Sequence, residues 1–247
     1  MTGSGVHSYH PILNASSGTG YVTTVGGLNS YVTGSHLSLF AAVLMSDIYG
    51  YKAPNFRNVA DKVAASGYYV VAPDLLDDDP FVDNDVNRPL DVWLQDHPPE
   101  NVSADVKPVI QDLKRRGFSR IGIAGFCWSG LGAADIAKTK LVKAAVLSHP
   151  SFVQGNNFRG IKAPVAIYGG QNDTQTPPSR IIEIERVLRD ARPEVAYEVK
   201  IFPNVGHGWT LLYDPNDPEA VKAADKAHRM MINWFDKHVS ELRNLVM

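Results

Sequence analysis

From residue 21 onward the chain alternates short apolar runs with amphipathic stretches. "YVTTVGGLNSYVTG" (21–34) gives two β-rich runs around Gly26-Gly27, the signal of a hairpin. The apolar run in "LSLFAAVLMSDIYG" predicts a strand buried on both faces, as in a parallel sheet. "APNFRNVADKVAASG" follows with a proline near its start, apolar residues at helical spacing and a glycine stop, and "YYVVAPD" is again a strand. The alternation resumes at residue 101. Helix "NVSADVKPVIQDLKRRG", strand "RIGIAGF", helix "WSGLGAADIAK", strands "KAAVLSHP" and "APVAIYGGQND", helix "PSRIIEIERVLRD", strand "VAYEVKIFP" and a long helix over about 218–242 complete the pattern. Such an order predicts one α/β domain over 18–247, a doubly wound, mainly parallel sheet with helices on both faces. A polar, mobile N-terminal arm over 1–17 is expected to precede it.

One segment breaks the rhythm. Residues 75–100, "LLDDDPFVDNDVNRPLDVWLQDHPPE", are acidic, proline-rich and without clear period. Connections of this length inside compact domains serve as lids or binding loops, so a lid or pocket wall is expected. Phe81 and Trp93 suit water poorly and predict that the loop folds back over something.

The 247 residues are 44% hydrophobic, ample for a buried core. The net charge of −2 comes with no basic cluster longer than "KRR" at 114–116, which argues against nucleic acid and anionic membranes as partners. A small molecule is the expected partner, bound by a monomer or homodimer. A single cysteine excludes an internal disulfide framework, the start lacks the blocks of a secretory signal, and no apolar run approaches membrane-spanning length. A soluble, cytoplasmic protein is expected. The eight histidines show no metal-ligand spacing on a predicted helix, so metal chemistry has little support in the sequence.

Ligand sites in doubly wound sheets lie beyond the carboxyl ends of the strands. Three residues with complementary chemistry fall there: Cys127 after "IGIAGF", Asp173 at the end of "VAIYGGQND", and His207 after "EVKIFPNVGHGW". Each has a bland reading alone, as a core thiol, a turn residue and a surface histidine. Together they stand in the order nucleophile, acid, histidine, which is that of the α/β-hydrolase triad, with its nucleophile on a strand-to-helix turn. Gly125 suits that turn fully, Ser129 only approximately. Backbone N–H groups of Trp128 and Ile48 occupy the positions of an oxyanion hole. Asp47 is either a carboxylate that handles the thiol proton or an ordinary strand-end residue. His149 in "LSHPSF" reads as structural or pocket-lining.

The blocks "SDIYG", "GFCW", "HPSF" and "HGWT" resemble the dienelactone hydrolase family, also called carboxymethylenebutenolidases, from about Gly18 to Val239, with wording nearest eukaryotic and plant-type members. The resemblance implies a Cys127–Asp173–His207 triad, no cofactor, and hydrolysis of a lactone or ester through an acyl-cysteine. Two departures stand out. Bacterial members carry glutamate where Asp47 lies, and they grip the substrate carboxylate with two arginines. Here only Arg88, in the long loop, is available as a counterpart. Tyr49, Trp128, Trp209 and Trp93 would then rim a pocket for a flatter, less charged or aromatic substrate. Alternatives are a lyase, isomerase or cyclase of specialised metabolism reusing the pocket, and a ligand-binding or receptor protein on the same scaffold.

Overall fold

A computed structural model describes residues 9–240. Residues 1–8 of the expected arm and the last positions of the expected final helix lie outside the described residues. The chain forms β1 (Tyr21–Val25), β2 (Leu28–Thr33), β3 (Phe40–Met45), α1 (Pro54–Ala65), β4 (Tyr69–Pro73), α2 (Leu90–Asp96), α3 (Val102–Arg115) and β5 (Arg120–Phe126). Then come α4 (Gly130–Ala137), β6 (Ala144–Ser148), β7 (Val165–Gly170), α5 (Pro178–Ala191), β8 (Tyr197–Phe202) and α6 (Pro218–Phe235). The eight strands make one sheet in the order β1-β2-β4-β3-β5-β6-β7-β8. β1 and β2 run antiparallel at one edge, and β4 through β8 and β3 are parallel. The strand order reverses at β3, which pairs with β4 on one side and β5 on the other. A crevice forms at such a reversal, beyond the ends of β3 and β5.

The side-chain alternation of β3 explains the two layers. Ala41, Val43 and Met45 face a core completed by α3, α4 and α5, whereas Ala42 and Leu44 face one completed by α1 and α6. Both sides of the strand are therefore apolar, as its unbroken hydrophobic run requires. Among the described residues no helix is long and apolar enough to cross a membrane.

Three expectations change. The 75–100 stretch contains α2, seven residues in which only Trp93 is buried, too short to carry a helical period. The helix after β5 begins not at Trp128 but with a 3-10 turn over Cys127–Ser129, α4 following at Gly130. Residues 9–17 of the expected mobile arm lie bound to the domain. Buried Arg57 donates to the carbonyls of Ala15 (2.7 Å) and Ser17 (3.0 Å), Asn14 N donates to Lys52 O at 3.1 Å, and His10 Nδ1 lies 2.7 Å from Asp83 Oδ2.

Candidate active site

Cys127 is the first residue beyond β5 and adopts φ +52°, the left-handed region that L residues avoid. That strain turns the thiol out of the sheet at the start of the following helical turn. The turn is tight: a Cβ on Gly125 would lie 2.6 Å from the Ser129 carbonyl oxygen, so only glycine fits. Ser129, expected as an imperfect stand-in for glycine, has its own function. Its Oγ donates to Met45 O (2.8 Å) at the end of β3 and accepts from Phe126 N (3.0 Å). It thereby ties the two strands that flank the crevice.

Asp173 and His207 come from the loops after β7 and β8. Asn172 N donates to Val205 O at 2.9 Å and Gln171 N to Phe202 O at 2.8 Å, which joins the two loops. His207 Nε2 lies 3.1 Å from Cys127 Sγ, and its Nδ1 lies 2.9 Å from Asp173 Oδ2. The other oxygen of Asp173 accepts the amides of Gln175 and Thr176, each at 2.9 Å. With both oxygens engaged and its side chain fully buried, the carboxylate is locked behind the imidazole. Cys127, Asp173 and His207, predicted from strand ends, are brought together.

The charges follow from this geometry. Burial alone would lower the His207 pKa, but the Cys127 sulfur, the Asp173 hydrogen bond and their charges outweigh it and push it up to about 10. His207 is therefore disposed to hold a proton between the sulfur and the Asp173 carboxylate. Asp47, 2% exposed, is pushed up to about 7, chiefly by burial, against the opposing Tyr49 amide and the His207 charge. His149 is held well below its ordinary value, first by burial and then by His207, whose ring centroid is 5.4 Å away. It is fully buried, with Nε2 2.7 Å from Thr210 Oγ1.

The remaining expected residues are distributed unevenly. Ile48 and Trp128 directly follow Asp47 and Cys127, and Trp128 Nε1 donates to His97 O at 2.9 Å, fastening the long loop to the turn. Trp93 is buried behind Trp128, ring centroids 6.1 Å apart, and is a wall rather than a rim. Tyr49 is also buried, with its hydroxyl donating to Asp83 at 3.0 Å. Trp209 lines a cavity of about 650 Å³ with Tyr9, His10, Val205, Leu212 and Tyr213, a group that does not include Cys127. Arg88 is no substrate clamp here, because its guanidinium is bidentate to Asp79 (2.8 and 2.7 Å) and also bonds Asp96 (2.7 Å). The acidic loop holds its own arginine.

Two residues were missed. Ser151 Oγ lies 3.2 Å from His207 Nε2 and 3.6 Å from Cys127 Sγ, and it donates to Gln175 Oε1 at 3.0 Å. The only sequence signal for Ser151 was its place three residues after β6, in the "HPSF" block; Gln175 had none beyond proximity to Asp173. Among the described residues no cluster of three or more His, Cys, Asp or Glu side chains could hold a metal ion.

Comparison with known proteins bears on the fold and the family. Residues 28–239 match the Dienelactone hydrolase family. An endo-1,3;1,4-beta-D-glucanase of Zea mays is 42% identical over 172 residues, 70% of this chain; the chain spans only 55% of that protein's length. A carboxymethylenebutenolidase homolog of Mus musculus is 27% identical, covering 90% of this chain and 92% of its own. The crystal structure of a dienelactone hydrolase from Anabaena variabilis superposes with a TM-score of 0.66 at 16% identity, over 90% of this chain and 97% of that one, and shares the α/β-hydrolase fold. Fold, crevice and sequence converge: the chain belongs to the dienelactone hydrolase family, and is a hydrolase acting on ester or lactone bonds.

Proposed function

We propose that the protein opens a small, uncharged lactone or ester by nucleophilic catalysis at Cys127, through an acyl-cysteine, without a cofactor. The observation that carries this reading is the line from Sγ to His207 Nε2 (3.1 Å) and from Nδ1 to Asp173 (2.9 Å). The thiolate attacks the carbonyl carbon, and the oxyanion is held by the amides of Trp128 and Ile48. Collapse expels the alkoxide, which takes the His207 proton. Neutral His207 then deprotonates a water that attacks the thioester, and sulfur leaves as thiolate with imidazolium restored.

Charge supports a neutral substrate. Arg88 is consumed by Asp79 and Asp96, and buried Asp47 beside His207 disfavours a second carboxylate. Glucan hydrolysis, the activity in the name of the longer maize relative, has less support. It requires two carboxyl groups flanking one bond, and Asp173 has both oxygens engaged. Small aryl esters and lactones assayed with wild type, Cys127→Ala and His207→Ala form the test. Both variants are expected to lose about 10³-fold or more in kcat/KM. Turnover unchanged in Cys127→Ala would refute the assignment of the nucleophile.

A further inference from the structure

Ser151 closes a ring of hydrogen bonds around the candidate triad. Its amide donates to the Cys127 carbonyl at 2.9 Å, its Oγ lies beside both Sγ and Nε2, and its hydroxyl donates to Gln175 Oε1. Gln175 in turn donates its amide to Asp173. A hydroxyl has one proton, and here Gln175 takes it, so the lone pairs of Oγ face the imidazole. His207 Nε2 thus meets two acceptors at almost equal distance, sulfur at 3.1 Å and oxygen at 3.2 Å. Only the sulfur is spent when an acyl group is attached.

We propose that Ser151 is a positioning residue for the second half of the reaction, holding the water that releases the acyl group from Cys127. This rests on the acyl-cysteine reading above. Once the leaving group has taken the His207 proton, Nε2 offers a lone pair and Ser151 Oγ offers another, a short distance apart. A water donating one hydrogen to each has its own lone pair turned toward the thioester on the adjacent sulfur. As one O–H bond breaks, its proton passes to Nε2 and the new C–O bond forms. The tetrahedral adduct then collapses, the C–S bond breaks with its electron pair going to sulfur, and the free carboxylic acid departs. Gln175 keeps the hydroxyl hydrogen out of the water's place, and its position at the exposed rim puts that control at the mouth of the site.

Stopped-flow hydrolysis of p-nitrophenyl acetate, with intact-mass measurement of quenched enzyme, tests this. In Ser151→Ala, a stoichiometric burst of nitrophenol and an acetylated Cys127 are expected, with kcat lower by roughly 10-fold or more and kcat/KM changed by less than about 3-fold. Gln175→Leu, which leaves the serine in place, should shift kcat in the same direction but less. Added hydroxylamine, which attacks the thioester through nitrogen and needs no positioned water, should restore turnover of Ser151→Ala. A merely structural defect would not respond. Equal losses in kcat and kcat/KM, with no accumulated adduct and no rescue, would overturn the proposal for Ser151 while leaving the nucleophile intact. Undiminished turnover by Cys127→Ala would instead overturn both.

Discussion

Gly170 lies so close beneath Val205 that a Cβ on it would sit 2.6 Å from the Val205 carbonyl oxygen. The end of the strand that leads to the acid thus sets the height of the loop that carries the histidine. Gly170→Ala is expected to lift that loop, costing about 1–3 kcal/mol of stability and a larger share of activity. Thermal melts alongside kcat/KM check it. Activity lost no faster than stability would show that the contact does not set the position of His207.

Asp173→Asn is expected to lower kcat sharply and to move the alkaline limb of the kcat/KM profile. In the wild type His207 must carry a proton for the leaving group, so activity falls as pH rises through about 10. The asparagine removes a hydrogen-bonded charge that raises the His207 pKa, so the limb shifts to lower pH. An unchanged limb would contradict the pairing.

The thiol is the largest upward influence on His207, set against burial, which lowers it. In Cys127→Ala the His207 ring should therefore titrate at lower pH than in the wild type, as followed by NMR of the imidazole protons. A ring that titrates at the same pH in both would show that the sulfur does not set the protonation of His207.

Asp47 makes a stability prediction. Its pKa rises from 3.8 to about 7 on folding, chiefly through burial, so the native chain holds this proton more tightly than the unfolded chain. The sign follows: stability declines as pH rises from about 4 to about 7, by on the order of 4 kcal/mol for this group. Asp47→Asn keeps an acceptor for the Tyr49 amide, now 2.9 Å from Oδ1, and removes the buried charge. Its melting temperature should exceed that of the wild type at pH 8 and match it at pH 4. A gain that does not depend on pH would show that burial does not set this carboxyl.

Arg57 fastens residues 9–17, and its guanidinium also lies 4.5 Å from the Tyr31 ring centroid. Arg57→Met should cost about 2–4 kcal/mol through lost hydrogen bonds and ring contact. It should also expose this segment to limited proteolysis, with cleavage sites mapped by mass. Protection equal to the wild type would mean that Asn14 and His10 suffice.

What was legible in the sequence is what short stretches encode. The Gly26-Gly27 hairpin, the apolar run of β3 and the glycine before Phe126 carry their geometry in adjacent residues. The positions after β5, β7 and β8 foretold the meeting of Cys127, Asp173 and His207, because parallel strands deliver their ends to one edge. The errors concern partners chosen in space. Arg88 looked free because Asp79 and Asp96 are merely two of many acids in its loop, and nothing in their spacing reveals a bidentate contact. Ser151 and Gln175 are ordinary polar residues whose bond spans 24 positions. Arg57 reaches about 40 residues back to the arm.

The φ of +52° at position 127 also limits which nucleophiles the site can ever use. A side chain branched at Cβ is a steric outlier in that conformation. Threonine is therefore shut out, however suitable its hydroxyl. Evolution of this elbow is confined to side chains unbranched at Cβ, so an exchange of chemistry here runs among the sulfur of cysteine, the hydroxyl of serine and the carboxylate of aspartate.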